Sequence, residues 1–566
     1  MSEELQKIDE AVAQLTQDGA PFALSTVTID GAEYRSFASA PDNMAAYFRF
    51  MLNHADKEFT VYRDNRMTFG ESYAQSAALA RSLIDDFGVQ PGDRVAILSR
   101  NNPEWMMGFI AVLSIGAVAV PMNAWWTTEE LDYGLKDCGA KLVIVDRQRM
   151  ERLLPLQDEL QLKLIAVDDC DGLAVDFSKF KDLVAAHAGA EMPEVEVTGD
   201  DHATIMYTSG STGHPKGALS SHRGMLSALY SWMLLGLSAK QAGGDSEPAK
   251  FPASGLLTIP LFHCTGSHTA FLLSLIVGRK LVIMHKWDVQ EALRMIEEER
   301  VTWFTGVPTM SAELQAAAAE SDRDLSSLAE IYGGGAARPP AQVEKLATTF
   351  KHSSAGIGYG LTETNALGTI NTGAVYRARP GSAGRPVPAV TDIAIFDEND
   401  QPVPAGERGE VCIHSPANCL GYWNKPEASA EAFRDGWFHT GDVGYIDEEG
   451  FLFIVDRMKE IIIRGGENIS CIEVEAGIYQ HPAVSEAAVY GVPDERLGEA
   501  VAASVVLREG QSLSAEELQS FLKEHIAGFK IPAHVRFHEE ALPRIATGKI
   551  FKRQLKAELS EQLAAA

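Results

Sequence analysis

Apolar and polar positions alternate along the first third of the chain in blocks that exchange a helical period for short, continuously apolar runs. A helix is predicted near Ser72 to Phe87, followed by the run Arg94-Val95-Ala96-Ile97-Leu98. A second helix leads into Ala117-Val118-Ala119-Val120-Pro121, and Lys141-Leu142-Val143-Ile144-Val145 comes next. Strands separated by helix-length segments predict parallel α/β layers. The pattern returns at Leu281-Val282-Ile283-Met284 and in an amphipathic segment from Val289 to Arg300. Residues 238–250 carry Gly, Ala and Lys and are expected to form a surface loop. From about residue 385 the texture turns to short strands with turn signals such as Asp397-Glu398-Asn399-Asp400 and Asp447-Glu448-Glu449-Gly450.

The last hundred residues give a compact α+β pattern: Ala487-Ala488-Val489-Tyr490, Ala502 to Leu507, and a helix near Ala515 to His525. The fold class expected is α/β: a large N-terminal domain of parallel layers (residues 1–458) with a small β-rich subdomain, and a small mobile α+β C-terminal domain (residues 459–566), joined at Lys459. A chain of 566 residues exceeds what one hydrophobic core usually organises, in keeping with that division.

Composition narrows the partners. Lys and Arg number 49 against 78 Asp and Glu, a net charge of -29. That field repels nucleic acid and anionic membrane surfaces, so an anionic substrate must be met by local cations and aimed backbone amides. The uncharged run from Met106 to Met122 approaches membrane-spanning length, yet it holds Gly108, Gly116 and Pro121. A buried helix feeding a buried strand accounts for it, so no integral membrane segment is expected. Six cysteines with no CxxC spacing and an acidic start, Met1-Ser2-Glu3-Glu4, suit a cytoplasmic protein with neither zinc cluster nor signal peptide. A homodimer is among the arrangements the sequence leaves open.

The most informative segment is Tyr207-Thr208-Ser209-Gly210-Ser211-Thr212-Gly213-His214-Pro215-Lys216-Gly217-Ala218, which follows the apolar strand Ala203-Thr204-Ile205-Met206. Gly210, Gly213 and Gly217 let backbone approach a ligand, the hydroxyls of Thr208, Ser209, Ser211 and Thr212 add donors, and Lys216 adds a cation: a phosphate cradle. A Walker loop is excluded, because Gly217 follows the lysine where Ser or Thr would hold Mg²⁺.

This segment resembles the signature loop of the acyl-adenylate-forming superfamily, which includes acyl-CoA synthetases, luciferases and peptide-synthetase adenylation domains. The resemblance runs from about residue 40 to 556. Gly358-Tyr359-Gly360-Leu361-Thr362-Glu363-Thr364 resembles the second nucleotide motif. It implies that Tyr359 and Gly360 pack on adenine, that Thr362 meets phosphate, and that Glu363, with Thr208, faces Mg²⁺, an ion that favours one or two carboxylates plus phosphate oxygens. Asp442, in Thr440-Gly441-Asp442, is implied to hold the ribose through its two acceptor oxygens, assisted by Arg457. Lys549, in Pro543-Arg544-Ile545-Ala546-Thr547-Gly548-Lys549, resembles the adenylation lysine, a cation between carboxylate and α-phosphate.

His263, in Pro260-Leu261-Phe262-His263, resembles the residue bordering the carboxylate; a packed core histidine is the competing reading. Gly334, Gly335 and Ala336 resemble the adenine and acyl-pocket wall, although Gly333 stands where Ser is common and Arg338 where an apolar residue is common. Lys459 resembles the hinge, and Gly465, Gly466 and Glu467 the segment that lines the thiol tunnel after domain rotation.

The resemblance implies an ATP- and Mg²⁺-dependent ligase joining a small-molecule carboxylic acid to coenzyme A through acyl-AMP. Apolar or small positions near Ala270 to Leu273, Trp303, Gly306 to Pro308 and Gly335 point to a medium- or long-chain fatty acid, hence to fatty acid and lipid metabolism. An aryl or short branched acid, or delivery of the acyl group to a carrier protein, are the alternatives.

Overall fold

A computed structural model describes residues 3–208, 214–243, 250–545 and 548–565. Two large, mostly parallel sheets carry the N-terminal part. The first has eight strands; its parallel portion runs Ser178–Lys179, Lys163–Ala166, Leu142–Val145, Arg94–Leu98, Val118–Pro121, His202–Thr208 in spatial order. Two antiparallel strands, Lys216–Ser221 and Gly421–Tyr422, close its other edge. The second sheet has nine strands, among them the parallel series Lys280–Ile283, Ser254–Leu257, Trp303–Gly306, Glu330–Gly334, Ser354–Gly360.

The apolar runs become strands because both faces of these sheets are covered by helices. Val143, Ile144, Val145, Ala96 and Ile97 are buried, as continuous apolar strands in a doubly covered sheet must be. The helices begin where the chain can satisfy their free amides. Phe69–Asp85 opens on a Thr68/Glu71 capping box and Thr128–Cys138 on a Thr127/Glu130 box. The uncharged run 106–122 is the buried helix Pro103–Ser114 entering the strand Val118–Pro121, and no described helix is long and apolar enough to cross a membrane.

One expectation fails. Of residues 238–250, expected as a surface loop, 238–242 are helix, since His222–Ala242 continues over Ala239, Lys240, Gln241 and Ala242 before Gly243 caps it, while 244–249 lie outside the described residues. Those residues are good helix formers, and no breaker precedes the glycine.

A small antiparallel sheet follows: Asp392–Phe396, Gly409–His414, Trp437–Ile446, Leu452–Arg457 and Phe433–Arg434. The chain changes sheets between Arg457 and Ile462. Ile462–Arg464, Glu467–Ile469, Val484–Asp494, Gly498–Leu507 and His534–His538 form a last sheet. Helices Cys471–Ile478 and Ala515–Leu522 pack on it around a core of their own that includes Val474, Ile478, Val489, Val501 and Leu522. The molecule is thus a large α/β N-terminal domain followed by a smaller α+β C-terminal domain.

Candidate active site

Strands His202–Thr208 and Lys216–Ser221 pair antiparallel, with Thr208 opposite Lys216 and Tyr207 opposite Gly217. The segment expected to cradle phosphate therefore lies between two neighbouring strands. Ser209, Gly210, Ser211, Thr212 and Gly213 lie outside the described residues. The described end of the loop is anchored on the helix Thr128–Cys138: Tyr133 stacks on His214 at 4.3 Å and donates its hydroxyl to the Pro215 carbonyl at 3.2 Å. Thr208 Oγ1 donates to the Lys216 carbonyl at 3.3 Å, keeping its lone pairs for a ligand. Gly217 has a different role from the one its sequence context suggests. A β-carbon there would stand 2.6 Å from Ile205 Cγ2, so the glycine serves strand packing rather than ligand approach.

The second motif lies at the end of the strand Ser354–Gly360 and the turn Thr362–Thr364. Tyr359 donates its hydroxyl to Asp442 Oδ2 at 2.7 Å, across 83 residues of sequence. Arg457 Nε lies 3.0 Å from Asp442 Oδ1. Asp442 and Arg457 face each other in register on adjacent strands of the small sheet. Burial raises the Asp442 carboxyl above the ordinary carboxylate range, while Arg457 and the Tyr359 hydroxyl oppose that rise. Glu363 is buried, and burial raises its carboxyl as well. Its Oε1 accepts from the Tyr422 hydroxyl at 2.8 Å.

Behind Asp442 stands a residue that the sequence did not single out. Glu410 Oε1 accepts from the Gly441 amide at 2.9 Å and its Oε2 lies 2.9 Å from His439 Nδ1, bracing the turn that presents Asp442. Glu410, Cys412 and His439 bring three ligand-type atoms within 4.8 Å of one another. The Arg434 guanidinium is already 2.6 Å from His439 Nδ1, so a protein cation occupies the neighbourhood a metal would need.

The residues expected to face the acid are arranged differently. His263 is half-buried, and its Nε2 is buried without a hydrogen-bond partner among the described residues. Burial, and then the Lys549 charge, push the His263 imidazole down to about 3, so the ring is neutral at ordinary pH. The core-histidine reading belongs instead to His268, fully buried and 3.0 Å from Asn365 Oδ1. Lys549 reaches this region from the C-terminal domain. A β-carbon at Gly335, which holds φ +77°, would stand 3.2 Å from Lys549 Cε, and Gly548 packs toward Val307. Glycine at 335 thus supplies both the left-handed turn and the space for the lysine. Burial and the Arg457 charge push the Lys549 ammonium below the ordinary lysine range, with Asp442 opposing. Gly334 is half-buried, and Gly335 and Ala336 are exposed.

The departures at Gly333 and Arg338 are one feature. Arg338 is buried and donates to the Gly356 carbonyl at 3.0 Å, and a β-carbon at Gly333 would lie 2.5 Å from its Nη2. The guanidinium fills the volume a serine side chain would take. Two apolar positions expected near the acid are also core: Phe271 and Leu272 are fully buried, and Phe271 packs on Phe59, Trp105 and Phe109. Helical spacing turns them inward and leaves Thr265, Thr269 and Leu273, four residues apart, half-buried.

Lys459 is exposed in the turn after Leu452–Arg457. Gly465 and Gly466 form the exposed tip between Ile462–Arg464 and Glu467–Ile469, with Glu467 paired to Arg464. Among the described residues no bond links that tip to Tyr359, Asp442 or Glu363. Tyr422 was also missed by sequence reasoning; its one signal is a Gly-Tyr pair entering an edge strand, which names no partner.

Residues 48–423 match the AMP-binding enzyme family and residues 473–549 match the AMP-binding enzyme C-terminal domain. A feruloyl-CoA synthase of Amycolatopsis sp is 36% identical over 491 residues, covering 87% of this chain and 93% of that protein. The long-chain-fatty-acid–CoA ligase FadD13 of Mycobacterium tuberculosis (strain CDC 1551 / Oshkosh) is 36% identical over 502 residues, covering 88% and 94%. The crystal structure of the anthranilate CoA ligase AuaEII in complex with anthranoyl-AMP superposes with a TM-score of 0.82 at 26% identity, over 92% of this chain and 98% of that one.

Proposed function

The chain belongs to the AMP-binding enzyme family, and from that premise we propose that it joins a carboxylic acid to coenzyme A at the expense of ATP. In the first step a carboxylate oxygen attacks the α-phosphorus; that bond forms as the bond to pyrophosphate breaks, giving acyl-AMP. In the second, the coenzyme A thiol attacks the acyl carbon, the carbon–oxygen bond to AMP breaks, and the thiol proton passes to solvent. Such chemistry rests on positioning and electrostatics and needs no protein nucleophile. The six cysteines, all buried free thiols, stand outside it.

The observation that carries this reading is the meeting of Tyr359, Asp442 and Arg457 within hydrogen-bonding distance beside Lys549, from segments up to two hundred residues apart. Asp442 would accept the ribose hydroxyls, since two bonds leave lone pairs free on its carboxylate. Tyr359, its hydroxyl engaged, would offer its ring to adenine. Lys216, Thr208 and Thr362 would meet phosphate oxygens, with Ser209 to Gly213 completing the cradle. Lys549 would stand between the carboxylate and the α-phosphate.

Mg²⁺ fits the donor set: Glu363 offers one carboxylate with an oxygen free beyond its bond to Tyr422, and Thr208 a hydroxyl. Bound there, the ion would offset the charge of the phosphates. His263, neutral and with Nε2 unpaired among the described residues, is suited to hydrogen-bond the acid and not to shuttle a proton. We place the domain division at Lys459, whose turn would absorb the rotation that withdraws Lys549 before the thiol enters past Gly465, Gly466 and Glu467. Free thiols throughout and a net charge of -29 support a cytoplasmic setting.

For the acid, a medium- or long-chain fatty acid is the first reading and is supported by the match to FadD13. An aryl acid is the second, supported equally by the match to the feruloyl-CoA synthase. Pyrophosphate and AMP release with a panel of fatty and aryl acids, with free coenzyme A present, tests both. Acyl-AMP formation without consumption of coenzyme A would overturn the ligase reading.

A further inference from the structure

Tyr422 belongs to the short strand Gly421–Tyr422, which pairs antiparallel with the strand that leaves the phosphate loop, Tyr422 opposite Ala218. Its position is set from three directions. Its amide donates to Ser429 Oγ at 2.8 Å, the next residue's amide donates to the Gly217 carbonyl at 2.8 Å, and its ring meets Phe433 edge-on at 5.9 Å. From this fixed point the side chain makes two contacts with different parts of the site. The hydroxyl donates to Glu363 Oε1 at 2.8 Å. The ring face lies beneath Lys216, whose Nζ is 4.5 Å from the ring centroid.

We propose that Tyr422 is a positioning residue that sets the metal-facing carboxylate of Glu363 and the phosphate-facing ammonium of Lys216 against each other, through its hydroxyl and its ring face respectively. The inference rests on the roles proposed above for Glu363 and Lys216. The hydroxyl occupies Oε1 and leaves Oε2 as the oxygen turned to a cation. A carboxylate free to rotate loses that bias. The ring gives Lys216 a face to rest on before nucleotide arrives, so less side-chain freedom is lost when phosphate binds. One side chain thus ties together groups from segments about 150 residues apart in sequence, which the edge strand alone could not do.

The two contacts separate by mutation. Tyr422→Phe deletes the hydroxyl and keeps the ring; Tyr422→Leu deletes both. The measurement is calorimetric binding of ATP without metal and with titrated Mn²⁺, the bound ion being counted by electron paramagnetic resonance, in the full-length chain. Tyr422→Phe is expected to raise the Mn²⁺ concentration needed for half-saturation of the ATP complex by about five- to tenfold, leaving metal-free ATP affinity within about twofold. Tyr422→Leu is expected to add a loss of about three- to tenfold in metal-free ATP affinity. Unchanged Mn²⁺ dependence in Tyr422→Phe, or identical behaviour of the two variants, overturns the proposal. Should Tyr422→Leu not fold, the Tyr422→Phe comparison decides alone. If the unmodified chain binds neither ATP nor Mn²⁺, the functional reading itself fails, an outcome distinct from a normal protein with indifferent variants.

Discussion

The two sides of the candidate site contrast in how their polar groups are satisfied. Around Asp442, expected to hold the ribose, the polar atoms have partners: Tyr359 and Arg457 bond the two oxygens of Asp442, Thr440 Oγ1 accepts from the Asp442 amide at 3.0 Å, and Glu410 holds the neighbouring amide. Around His263, expected to face the acid, Nε2 is buried and without a partner among the described residues, and Lys549 comes from the C-terminal domain into a space kept open by Gly335. A ligand that never varies can be met by groups fixed beforehand, at little reorganisation cost. A carboxylate that arrives, reacts and leaves is met by groups whose partner is the substrate itself.

The strongest challenge to this contrast is Lys549→Ala. It is expected to lower the rate of acyl-AMP formation by about a hundred- to a thousandfold, measured by pyrophosphate release, while ATP affinity stays near normal. Its pH dependence sharpens the point. The ammonium is the competent form and its pKa lies below the ordinary lysine value, so adenylation should fall as pH rises through a limb set below about 10.4. Lys549→Arg, which stays protonated, should lose that limb.

Next in size, Asp442→Ala should lower kcat/KM for ATP by about ten- to a hundredfold, with the KM for the acid little changed. A loss confined to the acid would reverse the two sides. His263→Gln should raise the KM for the acid by about three- to tenfold and spare the KM for ATP. Because the imidazole is held down to about 3, the acid limb of the rate profile near pH 6 to 7 should be the same with and without it. Smallest in its effect on catalysis is Gly333→Ser, which crowds Arg338 Nη2. It should cost about 1–3 kcal/mol of stability, read as a lower thermal midpoint, while leaving both KM values in place.

Much of the architecture was legible from pattern alone. The runs at residues 94–98 and 141–145 coincide with the strands Arg94–Leu98 and Leu142–Val145, because a strand buried on both faces has to be apolar throughout. Residues 238–250 carry loop signals in glycine and lysine content, yet 238–242 end the helix His222–Ala242, which only Gly243 stops. Phe271 and Leu272 were assigned to the acid for want of a way to tell two faces of an apolar helix apart. Of the candidate site, the motifs named Tyr359, Glu363, Asp442 and Lys549, but not the bonds among them. Glu410 and Tyr422 carried no local signal that names a partner, since an acid or a tyrosine on a strand is ordinary until its partner is known.

What the sequence determined by itself was the alternation that builds two covered sheets, and the residue types a nucleotide and an acid would need. Those are properties of neighbours along the chain, set by period and by side-chain chemistry. Only the tertiary structure decided that Tyr422 touches both Glu363 and Lys216, that Arg338 packs against Gly333, and that His263 Nε2 has no partner among the described residues. Such pairings depend on strand order and on close packing between distant segments, and no local pattern encodes a distance across a sheet.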